Sequence, residues 1–265
     1  MKDRQKGSHI EKTQAARVRI DKLLVDCGLV SSRERAQALI LAGRVLVDEQ
    51  KVEKPGHAVR ADAAVRLLGD DPRYVSRGGL KLEAALERWK IDLSGRFCLD
   101  IGASTGGFTD CMLQHGAERV LAVDTGYGQI AESLRRDARV TLMERTNARK
   151  LQPGELPEGI SFLAMDVSFI SSTLVLPAVR GAIGGKQRLE AVILVKPQFE
   201  AGRESVGKGG IVRDPLARQA AIDRVRACVA SLQGADVEVI ESPIQGAEGN
   251  IEFLLHTVMP GISLH

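Results

Sequence analysis

One glycine-rich stretch constrains the fold of this chain more than any other. Residues 97–110, FCLDIGASTGGFTD, begin with apolar residues typical of a buried strand and continue through a glycine-rich turn into a helix. Glycines at such a turn let a ligand approach the backbone closely, and the first N–H groups of the helix attract an anionic group. Open α/β sheets bind nucleotides in a crevice of this kind. The stretch therefore predicts an α/β fold with a ligand site at the turn.

From residue 97 onwards, apolar strand patterns alternate with helical patterns. The predicted strands are residues 97–101, 119–123, 140–143, 160–165, 191–195, 237–241 and 251–256, and the predicted helices are 107–115, 128–136, 172–183 and 215–233. Such alternation is typical of a mainly parallel sheet covered on both faces. Only a turn-rich stretch separates the last two strands, so we expect them to pair antiparallel. This ending favours a Rossmann-like methyltransferase sheet, mostly parallel with an antiparallel last strand.

The overall composition indicates a globular protein. The chain has 265 residues, of which 44% are hydrophobic and 27% charged, so a packed core is feasible. No apolar run approaches the ~20 residues that span a bilayer, and no secretory signal is evident. Four scattered cysteines without a CxxC motif indicate neither a zinc site nor a disulfide framework. We expect a cytoplasmic protein without bound metal or a membrane partner.

The N-terminal part of the chain differs from the rest in charge and pattern. Residues 1–17 are polar and basic without helical periodicity, which predicts a flexible basic arm. Residues 18–69 combine two short helical patterns with short strand patterns and predict a small α+β domain. A polar, turn-rich linker at residues 70–76 then leads to the α/β domain at residues 77–265.

The segment RIDKLLVDCGLVSSRERAQALILAGRVLVDEQKV, residues 19–52, resembles the S4 RNA-binding domain. Several of its arginines cluster near the second predicted helix, where they suit contacts with RNA phosphates. A solvated charged face without an RNA partner is the alternative interpretation. The candidate RNA-binding residues of this domain are Arg19, Arg33, Arg35 and Arg44.

The residues of the glycine-rich turn distinguish between two cofactors. Ser104 occupies the position of the middle glycine in the dinucleotide fingerprint GxGxxG, and that glycine admits a pyrophosphate to the backbone. The replacement disfavours NAD and favours S-adenosylmethionine, which has no pyrophosphate. Asp100 at the end of the first strand suits the ammonium group of that cofactor, directly or through water. Backbone N–H groups at the start of the following helix suit its carboxylate.

Two further polar residues follow the next strands. Asp124 ends the second strand, where a carboxylate accepts hydrogen bonds from ribose hydroxyls or caps the following helix. Asn147 follows the third strand and suits the adenine edge or, equally, a turn. The predicted cofactor-binding residues are Asp100, Gly102, Ser104, Gly106, Gly107, Phe108, Asp124 and Asn147.

Charged residues follow apolar strands at the same predicted sheet edge as the cofactor. Asp166 follows the fourth strand, Lys196 follows the fifth, and Glu252 lies on the last strand. Lys81 comes at the start of a helix predicted over residues 83–89. Any one of these residues, taken alone, is interpreted as a structural charge. Charged side chains are rarely buried without a partner, so the convergence of four of them at one edge of the sheet favours a catalytic cluster.

Methyl transfer to a ribose 2′-hydroxyl requires a proton acceptor and a nearby positive group. We assign Lys196 as the base and Asp166 as the group that orients it. Lys81 is then the second cation, and Glu252 holds either Lys81 or the substrate ribose. A structural network of salt bridges around the cleft is the alternative.

The motifs YVSRGGLKL, LDIGASTGGFTD, AVDTGYGQ, MDVSFIS, VKPQFE and VGKGGIVRD resemble the TlyA family, an S4 domain joined to an FtsJ-like ribose methyltransferase domain. The resemblance covers about residues 18–257. It implies 2′-O-methylation of a cytidine in ribosomal RNA by a Lys-Asp-Lys-Glu tetrad. Those four roles carry over to Lys81, Asp166, Lys196 and Glu252.

Residues 198–214, QFEAGRESVGKGGIVRD, form a predicted loop that is rich in glycine and charge. Long loops near a site are often lids or binding loops. We expect this loop to close over RNA through phosphate contacts from Arg203, Lys208 and Arg213. A mobile loop without a role is the alternative.

Three functions are compatible with the sequence. The first is a methyltransferase that uses S-adenosylmethionine and acts on ribosomal RNA or ribosomal subunits. The second is a non-catalytic ribosome-assembly factor that keeps the cofactor fold, which the intact tetrad disfavours. The third is a cytolysin, because members of the family are often labelled hemolysins, but no strongly apolar amphipathic helix supports it. The sequence indicates neither the target nucleotide nor the oligomeric state.

Overall fold

The computed structural model describes residues 16–30, 32–68, 73–184, 187–246 and 248–261, and of residue 203 it describes the backbone only. The chain divides into two compact units, Met1–Asp71 and Pro72–His265. Most of the predicted arm, residues 1–15, and part of the predicted linker, residues 70–72, lie outside the described residues.

The first unit combines short helices with short antiparallel strands. Its helices are α1 (Ile20–Asp26) and α2 (Arg33–Leu41), and its strands are β1 (Arg17–Arg19), β2 (Val45–Val47), β3 (Gln50–Lys51), β4 (Ala58–Arg60) and β5 (Val65–Leu67). Strand β2 lies between β3 and β5 in one sheet, and β1 pairs with β4 in another. The two helices and the strand β2 share one apolar core, which includes Leu24, Ile40 and Val45.

Neighbouring residues in the sequence explain why α2 forms, but they do not explain why β1 and β4 form. Ser32 caps α2 by accepting a hydrogen bond from the backbone N–H of Arg35 at 3.2 Å, as an N-cap serine does. Strands β1 and β4 have three residues each and depend on pairing between Val18 and Val59, which lie far apart in the chain. Arg17, assigned to the arm from the sequence, is the first residue of β1.

The second unit is built on a seven-stranded sheet with helices on both faces. Its strands are β6 (Phe97–Ile101), β7 (Arg119–Val123), β8 (Val140–Met143), β9 (Ile160–Met165), β10 (Leu189–Val195), β11 (Ala235–Glu241) and β12 (Phe253–Met259). Its helices are α3 (Gly78–Trp89), α4 (Gly107–Gln114), α5 (Glu132–Arg135), α6 (Ser172–Ile183), α7 (Pro197–Glu200) and α8 (Pro215–Ser231), with 3-10 turns at Ala148–Lys150 and Arg203–Ser205.

The strand order across this sheet is β11-β12-β10-β9-β6-β7-β8. The five strands from β6 to β10 run parallel to one another, and β12 runs antiparallel between β10 and β11. Chain connections diverge on either side of β6, so a crevice opens at the carboxyl ends of β6 and β9. The order confirms the predicted mostly parallel sheet with an antiparallel last strand.

Both faces of the sheet are buried. In β6, Cys98 belongs to the core that contains Leu82 of α3 and Met112 of α4. Its neighbour Leu99 belongs to the opposite core, which contains Leu176 of α6. Successive strand residues point to opposite faces, so burial on both sides accounts for the continuous apolar runs in the sequence.

Several element boundaries differ from the sequence pattern, and the stretch 198–214, predicted as a loop, contains most of α7 and the 3-10 turn at Arg203–Ser205. Helix α3 begins at Gly78 rather than at residue 83, which places Lys81 in its first turn. Helix α5 begins at Glu132, because the turn before it is held by a hydrogen bond from the N–H of Ala131 to the carbonyl of Thr105 at 3.0 Å. Strand β12 begins at Phe253, so Glu252 directly precedes the last strand and does not lie on it.

We predict that Gly102→Ala destabilises the fold much more than Gly95→Ala. Both glycines have a positive φ, +87° and +67°, so either substitution carries a backbone strain of about 1–2 kcal/mol. A Cβ at Gly102 would in addition lie 2.2 Å from the carbonyl oxygen of Asp166, whereas nothing lies within 4 Å at Gly95. Denaturant unfolding of both variants measures the difference, and equal losses of unfolding free energy would contradict the proposed close approach.

Candidate active site

Lys196 and Asp166 leave the sheet from neighbouring parallel strands, directly after β10 and β9. The Nζ of Lys196 lies 2.5 Å from Oδ1 of Asp166 and donates a hydrogen bond to Oγ of Ser168 at 2.7 Å. The lysine is buried and the aspartate is half-buried. Reduced solvent screening strengthens this ion pair, so the lysine is held in one position at the edge of the sheet.

Lys81 and Glu252 form a second buried ion pair, with Nζ and Oε2 2.5 Å apart. Lys81 comes from the first turn of α3, and Glu252 from the residue before β12. The antiparallel register pairs Val195 with Phe253. One residue beyond that pair, Lys196 and Glu252 therefore leave adjacent strands side by side.

The two ion pairs line one cavity of about 270 Å³. Its wall also contains Gly102 and Ser104 of the glycine-rich turn. The structure thus brings all four predicted catalytic residues together beside the turn.

A second cavity of about 450 Å³ adjoins the first. Gly102, Ser104 and Asp166 line both, while Asp124 and Asn147 line only the second. The two cavities therefore form one cleft, in which a ligand seated beside Asp124 extends towards the two lysines.

Asp124 shapes the glycine-rich turn as well as the cleft. Its Oδ2 accepts a hydrogen bond from the N–H of Ser104 at 2.8 Å, and its Oδ1 accepts one from the N–H of Gly126 at 2.6 Å. Ser104 has a positive φ of 49°, a conformation that L-residues adopt at a cost. The hydrogen bond from Asp124 stabilises it, so the turn keeps its shape without the middle glycine.

Asn147 follows β8 in the sequence and caps a short helix. Its side-chain oxygen accepts a hydrogen bond from the N–H of Arg149 at 3.1 Å at the start of the 3-10 turn. The same residue lines the second cavity. The turn role considered from the sequence is therefore present, and the side chain also faces the cleft.

Asp100 lies fully buried beneath the turn and lines neither cavity. Its Oδ2 accepts a hydrogen bond from Oγ1 of Thr109 at 2.6 Å, while its Oδ1 has no hydrogen-bond partner among the described residues. Burial, with a smaller contribution from the charge of Asp166, raises the pKa of Asp100 to about 7. A cation bound above the turn would favour the ionised carboxylate.

The remaining predicted cofactor residues form the start of α4. Gly106 has a positive φ of 97° and occupies the N-cap position, and Gly107 begins the helix. A Cβ on Gly107 would lie 2.9 Å from the backbone nitrogen of Gly79, so the glycine lets the first turns of α3 and α4 touch. Phe108 is buried in the core beside the first cavity. The positive end of the α4 dipole therefore faces the cleft.

These features fit S-adenosylmethionine. The buried carboxyl of Asp100 has an unpaired oxygen suited to a cation, the start of α4 suits a carboxylate, and Asp124 lines the wall where a ribose would lie. The cofactor's amino-acid end, with its ammonium and carboxylate groups, would then lie at the turn that both cavities share.

The candidate RNA-binding residues lie in both units. Arg19 and Arg33 are exposed at the surface of the first unit and form ion pairs with Asp21. Arg35 and Arg44 are half-buried and interact with neighbouring groups; Nε of Arg44 donates to the carbonyl of Leu68 at 2.9 Å.

The other three candidates, Arg203, Lys208 and Arg213, belong to the stretch 198–214 of the second unit, which was predicted as a loop. Lys208 and Arg213 are exposed there. The side chain of Arg203 lies outside the described residues.

Sequence reasoning missed Phe169 at the edge of the cleft. Its side chain is 91% exposed, it lines the second cavity, and its φ of 63° is unusual for a bulky residue. Its ring centroid lies 5.4 Å from that of Phe199, the third residue after Lys196. The signal available in the sequence was a lone aromatic residue four positions after a strand end, in MDVSFIS.

Glu200 is a second residue that the sequence reasoning missed. It is buried and accepts hydrogen bonds from the N–H and Oγ of Ser172, both at 2.7 Å, and from Oγ of Ser171. These bonds join α7, which follows Lys196, to the start of α6, which follows Asp166 by a few residues. Glu200 thereby ties together the two segments that carry the Lys196–Asp166 pair.

Comparison with known proteins identifies the families of both units. The family model described as FtsJ-like methyltransferase matches residues 74–258, and that of the S4 domain matches residues 18–65. The chain is 46% identical to the 16S/23S rRNA (cytidine-2′-O)-methyltransferase TlyA of Mycobacterium tuberculosis, over 91% of this chain and 90% of that protein.

Two further relatives carry a hemolysin name. Hemolysin A of Brachyspira hyodysenteriae is 40% identical over 91% of this chain and all of its own length, 100%. A solved structure from Streptococcus thermophilus, described as that of a candidate hemolysin, superposes with a TM-score of 0.69 at 42% identity and covers 92% of this chain and 89% of its own. With its S4 domain, its FtsJ-like domain and these relatives, the chain belongs to the TlyA family of methyltransferases.

Proposed function

We propose that this protein transfers a methyl group from S-adenosylmethionine to the 2′-hydroxyl of a cytidine in ribosomal RNA. The observation that carries the proposal is the convergence of two lysine–carboxylate pairs on a cavity that adjoins the predicted cofactor cavity. The name of the relative from Mycobacterium tuberculosis supports the choice of cytidine and of ribosomal RNA.

Lys196 serves as the proton acceptor in this proposal. When bound, S-adenosylmethionine supplies an electrophilic methyl group. To act as the base, Lys196 must first release its own proton to solvent; its neutral Nζ would then accept the proton of the 2′-hydroxyl as the 2′-oxygen receives the methyl group. Asp166 and Ser168, which contact Nζ at 2.5 and 2.7 Å, stabilise the resulting ammonium group.

Lys81 supplies a positive charge for the substrate oxygen. Negative charge that develops on the 2′-oxygen is stabilised by a cation held in place beforehand. Glu252 holds Lys81 through the buried ion pair, so the ammonium group needs little reorganisation during the reaction. A merely structural network would not need both lysines at one cavity wall.

RNA delivery is assigned to the first unit and to the loop of the second. The first unit presents Arg19 and Arg33 at its surface, and the loop presents Lys208 and Arg213. Lysine and arginine contacts to phosphates provide sequence-independent affinity. Because the proposed substrate is ribosomal RNA, we place the reaction in the cytoplasm.

The hemolysin names among the relatives do not change this proposal, which is supported by the two lysine–carboxylate pairs at the cleft. In the part of the chain that the structure describes, no helix combines the length and the apolar character needed to cross a membrane.

We predict that Lys196→Met lowers methyl transfer at saturating substrate by about 10²–10⁴-fold, the usual contribution of a general base. The assay incubates separated ribosomal subunits with methyl-labelled cofactor and maps the modified nucleotide by arrested reverse transcription. Cofactor and subunit binding should stay near wild type. Lys90→Asn is the matched control, because Lys90 is exposed and left-handed (φ 54°) at the end of α3 and asparagine tolerates that conformation.

Two outcomes of this assay would contradict the proposal. A Lys196→Met protein that methylates at the wild-type rate would remove the base assignment. A wild-type protein that binds the subunits but never labels them would favour the non-catalytic assembly factor.

We predict that Phe169→Ala reduces kcat/KM for the RNA substrate by about 10- to 100-fold, because one base–aromatic stack contributes about 1–3 kcal/mol. An exposed ring beside the cleft suits a target base displaced from its neighbours. Phe169→Trp should keep most of the activity. Leu216→Ala changes another exposed apolar side chain, and an equal loss in that control would show that Phe169 has no special role.

We predict that cofactor binding releases protons near pH 7 through Asp100. The carboxyl of Asp100 has its pKa raised from 3.8 to about 7, so in the free protein it is protonated below pH 7. A bound cation favours the ionised form, and affinity should therefore rise as pH increases through 7. Calorimetric titration in buffers of different ionisation enthalpy measures the released protons, and Asp100→Asn should release fewer than wild type.

The same pKa fixes the sign of the pH dependence of stability. Between about pH 4 and 7 the folded protein without cofactor keeps a proton on Asp100 that the unfolded chain has released. The contribution of this group to the free energy of unfolding therefore falls as pH rises through that window.

In the calorimetric titration, an Asp100→Asn protein with the same proton release as wild type would contradict the assignment of Asp100.

A further inference from the structure

Asp21 is a fully buried carboxylate in the first turn of α1, with 0% of its surface exposed. Three side chains surround it. Arg19 donates from Nε to Oδ1 at 3.0 Å and from Nη2 to Oδ2 at 2.9 Å, and Arg33 donates from Nη2 to Oδ2 at 3.0 Å. Gln37 donates from Nε2 to Oδ2 at 3.2 Å.

The two arginines that Asp21 holds remain accessible. The exposed fractions of their side chains are 54% for Arg19 and 52% for Arg33. They come from different elements, β1 and the start of α2, and among the described residues the shared carboxylate joins their guanidinium groups. Asp21 thus fixes the spacing of two exposed cations.

The charge state of this group persists over the working pH range. Hydrogen bonds from Arg19, and secondly from Arg33 and Gln37, hold the pKa of Asp21 well below its usual range against the opposing effect of burial. Since both arginines stay protonated, the cluster carries a net positive charge, and a phosphate can bind to the exposed part of each guanidinium.

We propose that Asp21 is a positioning residue that presets Arg19 and Arg33 as a pair for the phosphates of the RNA substrate. The inference rests on the proposed function, because it concerns how the RNA is held. An arginine side chain loses up to about 2 kcal/mol of conformational entropy when it is fixed. In this cluster the side-chain entropy is already lost when the protein folds, so RNA binding does not have to offset that loss.

The Asp21→Asn substitution should change RNA affinity in the direction opposite to that expected from charge alone. Replacement of Asp21 by asparagine removes a negative charge from a surface that binds a polyanion. Long-range electrostatics alone would then tighten RNA binding. Loss of the preset geometry weakens it instead, because two freed arginine side chains must be ordered by the RNA.

The test uses full-length protein and separated ribosomal subunits. For Asp21→Asn we expect KM for the subunit to rise by about tenfold, the equivalent of roughly 1.4 kcal/mol of ordering. The value of kcat at saturating subunit should remain at the wild-type level, since the catalytic cleft is unchanged. Direct binding at several salt concentrations should show the same weakening.

Glu49→Gln is the matched control. Glu49 pairs with Arg66 at 2.7 Å in the same unit, but both side chains are exposed, so this change adds the same charge without freeing a buried cluster. We expect unchanged or slightly tighter binding for Glu49→Gln. Equal weakening in both variants would overturn the inference.

A second variant covers the case in which Asp21→Asn unfolds the first unit, which circular dichroism would reveal. Arg19→Lys keeps the net charge but loses the two-pronged contact with Asp21, and it should also raise KM while kcat stays constant. Wild-type KM in Arg19→Lys, or in a folded Asp21→Asn protein, would overturn the inference. Failure of the wild-type protein to bind the subunits would instead overturn the proposed function.

Discussion

The structure of the candidate active-site cleft depends on the register of the antiparallel strand β12 beside β10. That register pairs Val195 with Phe253, so Lys196 and Glu252 leave the sheet together. A shift by one residue would turn Glu252 to the other face of the sheet and separate it from Lys81. Burial of both sheet faces makes such a shift costly, because every apolar side chain of β12 would change sides.

Buried carboxylates with distinct partners recur in the molecule. Glu252 holds Lys81, and Glu200 joins the segments that carry Lys196 and Asp166. In the first unit, Asp21 holds two arginines. In each case a buried charge is offset by ion pairs or hydrogen bonds, and the paired groups lose their freedom on folding. Asp100 differs, because one of its oxygens has no partner in the described residues and its pKa is raised.

Much of the α/β unit was predictable because strand and helix periodicity is local. The limits of β6, β7, β8, β9 and α6 agree with the sequence pattern. The pairing of β1 with β4 was not predictable, since each has three residues and depends on a distant partner. The early start of α3 was also missed, because it depends on contact between two glycine-rich helix starts rather than on periodicity.

The amino-acid pattern predicted the mostly parallel sheet, the S4-like domain, the S-adenosylmethionine class of cofactor and four candidate charged residues at strand ends or a helix start. The sheet and the cofactor class follow from residue type and spacing, which are local, whereas the S4-like domain and the roles of the four charged residues also rest on the resemblance of their motifs to known families. The three-dimensional fold was needed to show that Lys81 pairs with Glu252 and Lys196 with Asp166. It was also needed to show that Asp100 lies beneath the turn instead of in the cleft and that Phe169 is exposed at the edge of the cleft. Partners, burial and orientation depend on strand register and helix packing, which join residues far apart in the chain.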